Sequence, residues 1–146
     1  MATIGFQLAY GNPHIVHVPE CQTHSSFTPG DLVWLTNGYL QLAANVTTIF
    51  GVVQANTVGT TGNPTPVHVI SPEDVFIAEM DTTSTTTYLG DDFGVEIGTP
   101  GSMNVATGSS DVVSVIDFFE PVGTALGKVL VKFRGTLLQG TWGDTS

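Results

Sequence analysis

A chain of 146 residues carrying 13 carboxylates against 3 cations has a formal charge of −10, and its cations (Lys128, Lys132 and Arg134) all lie within seven residues. That balance speaks against nucleic acid, whose phosphates are bound by displacing counterions with Lys and Arg. It speaks equally against anionic membranes and Arg-clamped phosphate chemistry.

Charged residues make up only 11% of the chain while hydrophobic residues reach 41%, which predicts a folded core rather than disorder. The polar surface is then built mainly from Thr, Ser, Asn, Gln and Gly, which are cheaper to desolvate in a protein contact than ions. The length fits one domain over residues 1–146. Within it, residues 1–26 read as an arm able to pack on a neighbour and 27–146 as the body. Cys21 is the single cysteine and has no intramolecular disulfide partner. The opening residues lack the basic start and apolar run of a signal peptide, and no run approaches eighteen apolar residues.

The first predicted strand alternates Ile4, Phe6, Leu8 and Tyr10 with smaller or polar residues, and Gly11-Asn12-Pro13 ends it. His14 to Val18 is a second run, closed by Pro19. After a polar stretch, Pro29-Gly30-Asp31 turns into Leu32-Val33-Trp34-Leu35. Asn37-Gly38 then separates this run from Leu40-Gln41-Leu42-Ala43, the strongest hairpin signal in the chain, because Asn-Gly accepts the positive φ angles of a type I′ turn. Further strands are expected over 49–55, 66–70, 75–80, 93–97, 112–119 and 129–133, separated by Gly-, Pro- and Ser-rich turns. Ser71-Pro72-Glu73-Asp74 resembles a helix cap, but the apolar run after it is brief and β-branched. Thr82 to Tyr88 reads as an extended linker or exposed loop. The fold expected is all-β: a compact barrel or sandwich of about 8–10 short, mainly antiparallel strands.

His14, His17, Cys21 and His24 offer four potential zinc ligands within eleven residues. Positions 14 and 17 of a strand point to opposite faces, however, so no metal is expected. Glu73-Asp74 and Asp91-Asp92 lack the alternating pattern of a calcium loop and read as solvated turn residues. There is no Gly-x-Ser-x-Gly elbow, no partner at a family-specific spacing for Cys21 and no Gly-Lys-Ser/Thr phosphate loop. The chain is therefore expected to be neither an enzyme nor a cofactor carrier.

The segment from Gly127 to Gly135 places Val129, Val131 and Phe133 on one face and Lys128, Leu130, Lys132 and Arg134 on the other. Two readings stand side by side: an edge strand guarded by charge, and a basic stripe that meets an acidic patch on another copy. The interface candidates are Phe6, Tyr10, Lys128, Lys132, Arg134 and Trp142, since termini need tying down and exposed aromatics are enriched at interfaces. For Phe6 and Leu8 the competing reading is ordinary core packing.

Phe27-Thr28-Pro29-Gly30-Asp31-Leu32-Val33, Asn37-Gly38-Tyr39-Leu40, Ala43-Ala44 and Ile49-Phe50-Gly51-Val52-Val53 together resemble small structural proteins of tailed bacteriophages. So does the closing run Gly127-Lys128-Val129-Leu130-Val131-Lys132-Phe133. By size and charge the chain is most similar to the capsid decoration, or cement, proteins. The resemblance covers about half the chain and carries no catalytic residue. It implies a compact β-barrel, commonly a homotrimer, that binds the major capsid protein on the outer surface of an assembled head. Such a protein would be made in the host cytoplasm and end in the virion. The competing reading is a phage tail, fibre or carbohydrate-binding β module, in which Trp34, Tyr39 and Trp142 would stack on sugars.

Overall fold

The computed structural model describes residues 5–19, 27–36, 39–42, 49–56, 64–96, 104–107, 112–134 and 138. Over these residues the chain forms eleven strands, in order β1 (Gln7–Tyr10), β2 (Ile15–Pro19), β3 (Leu32–Thr36), β4 (Tyr39–Leu42), β5 (Gly51–Val53), β6 (Pro64–Val69), β7 (Val75–Glu79), β8 (Asp92–Glu96), β9 (Asn104–Ala106), β10 (Val113–Phe118) and β11 (Lys128–Phe133). They make a six-stranded sheet, β1-β7-β11-β10-β8-β9, and a five-stranded sheet, β2-β6-β5-β3-β4. Every strand pairing is antiparallel. The two sheets pack on each other as a sandwich, one of the two all-β architectures the sequence predicts.

The core follows from period-2 alternation. Phe76 and Ala78 of β7, Val113 and Val115 of β10, and Val129, Val131 and Phe133 of β11 turn inward from the larger sheet. Leu32 and Val52 join them from the smaller one. Phe6, Phe76 and Phe133 form a continuous aromatic stack, with ring centroids 5.5 Å apart for Phe6–Phe133 and 5.4 Å for the edge-on Phe76–Phe133 pair. The neighbours of Leu32 and Val52 point the other way: Val33 and Val53 belong to a second buried cluster with Val18, Phe27, Leu40, Phe50 and Val67. The smaller sheet is thus apolar on both faces. That explains why its strands read as near-continuous apolar runs rather than as a clean alternation.

The hairpin pairs Val33 with Leu42, Trp34 with Gln41, Leu35 with Leu40 and Thr36 with Tyr39. This register leaves the two-residue Asn37-Gly38 connection expected from sequence, though those two positions lie outside the described residues. Residues 5–19, within the segment read as an arm, supply an edge strand to each sheet: β1 along β7 and β2 along β6. Three further details go beyond the sequence reading. β9 was not foreseen, because three residues give too little periodicity to register. Thr85 is extended, but Thr86–Tyr88 closes a single 3-10 turn. Finally, β11 is not an edge strand. It lies between β7 and β10, pairing Leu130 with Ile77 on one side and Val131 with Val115 on the other. An interior strand with one solvated face carries the same alternation as a guarded edge, so sequence alone could not separate the two.

Candidate functional site

Among the described residues, three polar nodes tie separate segments of the fold together. The first is His68 of β6, 2% exposed, beside Asp74 at the start of β7, 4% exposed. The His14 backbone N–H donates to His68 Nδ1 at 3.0 Å. That leaves the ring proton on Nε2, which donates to Asp74 Oδ2 at 2.8 Å; a neutral imidazole has one donor and one acceptor, and here each is used. Asp74 Oδ2 also accepts the Ser71 backbone N–H at 2.9 Å, while the Asp74 N–H closes the turn onto the Ser71 carbonyl at 3.0 Å. One buried pair thereby links three segments: the entry to β2, the β6 strand and the β6–β7 turn. With Nδ1 taken by a main-chain amide, this His–Asp pair lacks the free nitrogen that a general base presents to a nucleophile. Its chemistry is structural.

The second node is the Thr28–Asp31 turn. The Asp31 side chain is fully buried, and its Oδ2 accepts the Thr28 N–H at 2.8 Å. The main chain of the turn is bonded from two sides: Phe6 N–H donates to the Gly30 carbonyl at 3.0 Å, and Gly30 N–H donates to the Val53 carbonyl at 2.9 Å. The Pro-Gly-Asp motif and the Gly-Val-Val run that carry the resemblance therefore meet in one place. The third node is buried Ser84, which joins two loops at one end of the larger sheet. Its N–H donates to the Thr124 carbonyl at 3.2 Å and its carbonyl accepts from Gly123 N–H at 3.0 Å.

Among the described residues, that end carries most of the exposed large apolar side chains. Of the eight large apolar side chains exposed among the described residues, five (Leu89, Ile116, Phe119, Val122 and Leu126) lie on or beside these loops. The loops are ordered by their own hydrogen bonds. Phe119 and Glu120 N–H groups both reach the Lys128 carbonyl at 3.0 Å, and Thr124 and Gly127 N–H groups close successive turns onto Pro121 and Thr124. The Glu120 carboxylate accepts the Lys128 N–H at 2.9 Å, and Gly90 N–H bonds the Val115 carbonyl at 2.8 Å. Sequence missed this surface because Val112 to Phe119 reads as one continuous strand. Ile116 follows inward-facing Val115 and so faces solvent, and a bulge between Val115 and Asp117 then keeps Asp117 outside as well and turns Phe118 toward the core.

The predicted interface residues do not gather. Phe6 is 1% exposed and packed in the core, so the core reading holds and its place as a contact residue is corrected: the rings of Phe76 and Phe133 already cover it. Tyr10 is 65% exposed, beyond an irregularity in the β1–β7 register that follows Leu8. Lys128 and Lys132 are half-buried on the outer face of β11 and Arg134 is exposed; Trp142 lies outside the described residues. Lys132 Nζ stands 4.0 Å from Glu73, a solvated pair of the kind that contributes little. Lys132→Ala is accordingly expected to change unfolding free energy by less than about 0.5 kcal/mol in a urea titration, and a loss well above that would contradict this placement.

His14 and His17 are exposed, and Cys21 and His24 lie outside the described residues. Among the described residues no cluster of three or more His, Cys, Asp or Glu side chains forms. The reading of Glu73-Asp74 as two solvated residues is corrected: Glu73 is exposed, but Asp74 is buried against His68. The Ser-x-x-Asp spacing after an alternating His was the available signal. Asp91 and Asp92 are exposed as expected, and Asp92 accepts the Ser114 hydroxyl. Trp34 is half-buried against the main core while Tyr39 is exposed, so these two aromatics do not share one solvent-facing platform. No protein-family model and no curated protein matches the chain.

Proposed function

We propose that this chain is a non-enzymatic virion structural protein that binds the outer surface of an assembled phage head and stabilises it. The observation that carries the reading is how its side chains are divided. The buried groups with chemical versatility, His68 and Asp74 above all, are engaged in hydrogen bonds that tie turns to strands. Among the described residues, five of the eight large apolar side chains left in solvent lie at one end, on or beside loops held in place by main-chain bonds. Rigid apolar groups presented to water suit a protein contact, because little conformational entropy is lost when they dock. The resemblance of 27–53 and 112–139 to phage decoration proteins supports the same reading.

Stabilisation would work by mass action. A ligand that binds only the intact shell lowers its free energy by RT ln(1 + [L]/Kd), about 2.7 kcal/mol per site at a hundredfold excess over Kd. Many symmetric sites add together. The test is co-sedimentation of the purified chain with heads assembled without it, followed by heating. Heads carrying the chain are expected to keep their DNA to a higher temperature than bare heads. Heads that neither bind the chain nor gain thermal resistance would remove the proposal.

A further inference from the structure

The structure assigns the shell contact to the end of the sandwich built by loops 84–91 and 119–127, and it points to a partner face with an apolar pocket ringed by lysine or arginine. The assignment rests on the decoration reading for the identity of the partner. It departs from the sequence expectation, which placed the contacts at Phe6 and Tyr10 of the N-terminal strand, at Lys128, Lys132 and Arg134, and at Trp142.

Leu126 is the first reason. It is half exposed and adopts φ +52, the one non-glycine residue with positive φ among those described. That conformation is uncommon for a leucine, and glycine would take it without strain. A solvent loop gains nothing from an exposed leucine there; a contact loop gains an anchor held in a fixed direction. Phe119 and Val122 stand on the same loop, and Leu89 belongs to the neighbouring loop, whose Ser84 end is bonded to it. The whole is pre-shaped rather than adaptable.

Charge decides the partner. Asp91 and Asp117 are exposed beside these apolar groups and Glu120 is partly so. The nearest cation, Lys128, is half-buried at the neck of the loop, and Lys132 lies toward the opposite end of β11, against Glu73 of the β6–β7 turn. A second copy meeting this end with its own would bring carboxylates against carboxylates, which costs free energy on desolvation. A cation-ringed apolar pocket on another protein complements both the anchors and the rim.

The experiment uses the full chain and heads assembled without it, with binding measured by co-sedimentation. The parent, Phe119→Ser, Leu126→Gly, Asp117→Asn and the distant exposed control Tyr39→Ser are compared. Leu126→Gly relieves the positive φ, so its Tm is expected at or above that of the parent while its affinity falls. Phe119→Ser and Leu126→Gly together are expected to weaken binding about 30-fold or more, as loss of buried anchors does. Asp117→Asn and added salt are expected to weaken it several-fold, and Tyr39→Ser to leave it unchanged. If the parent binds and the loop variants bind equally well, this inference falls and the decoration reading stands. If the parent does not bind heads, both fall. A concentration-dependent dimer of the free chain that Leu126→Gly abolishes would instead identify a second copy as the occupant and overturn the assignment.

Discussion

His68→Phe is expected to destabilise the chain by about 3–5 kcal/mol, the range for removing one member of a buried pair. Phenylalanine preserves most of the ring volume, so packing against Phe76, whose centroid lies 5.8 Å away, changes little. What changes is polar. The Asp74 carboxylate, almost wholly buried, loses its imidazole donor, and the His14 amide loses its acceptor. Asp74 keeps the Ser71 N–H, which cannot satisfy a buried charge alone.

Urea unfolding should show the midpoint falling with the slope unchanged, and Tm dropping on the order of 10 °C. Asp74→Asn should cost less, about 1–2 kcal/mol, because a carbonyl oxygen can still accept hydrogen bonds from His68 and Ser71. Combining His68→Phe with Asp74→Leu should cost less than the sum of the two single changes, since neither stranded partner then remains. A His68→Phe protein within about 1 kcal/mol of the parent would mean that Asp74 reaches water once the imidazole is gone, and that the pair does not knot the two sheets together.

Gly5→Ala is the second large effect, expected at about 2–4 kcal/mol from strain and overpacking together. Gly5 has φ +69, and a Cβ built there would lie 2.8 Å from both the Cα and the carbonyl oxygen of Gly30. The obstacle is main chain, which cannot rotate away as a side-chain tip can. Relief would require the N-terminal strand to lift from the Pro-Gly-Asp turn, breaking the Phe6 N–H to Gly30 bond and withdrawing the Phe6 ring from Phe133. Gly90 and Gly123 provide the comparison. Both have positive φ, +80 and +96, but open space where a Cβ would stand. Their alanine variants should lose only about 1 kcal/mol, the strain of the backbone region alone. Equal losses at all three positions, measured by thermal and urea unfolding, would show that close approach to Gly30 contributes nothing.

These experiments separate what is local in the chain from what is not. The strands from 15 to 19 and from 75 to 79 were legible because alternation and turn residues act over a few neighbours. The Asn-Gly hairpin register was legible for the same reason. The functional surface was much less so. Val112 to Phe119 is apolar but for Ser114 and Asp117, and no local rule announces the bulge that leaves Asp117 outside beside Ile116 and turns Phe118 toward the core. Leu126 looks like any leucine beside a glycine until its φ is known.

By itself, then, the amino-acid sequence determined the all-β class, most strand positions, the inward face of β11 and the gathering of all three cations on and just beyond that strand. Each of these follows from propensity, period-2 patterning or composition. Only the tertiary structure decided that β11 is interior, that Asp74 is buried while adjacent Glu73 is not, that Phe6 belongs to the core, and that apolar side chains crowd one end. The reason is common to all four. Burial and strand order depend on which distant segment arrives alongside, as β7 does for β11, His68 for Asp74 and Phe133 for Phe6, and no window of neighbouring residues contains that partner.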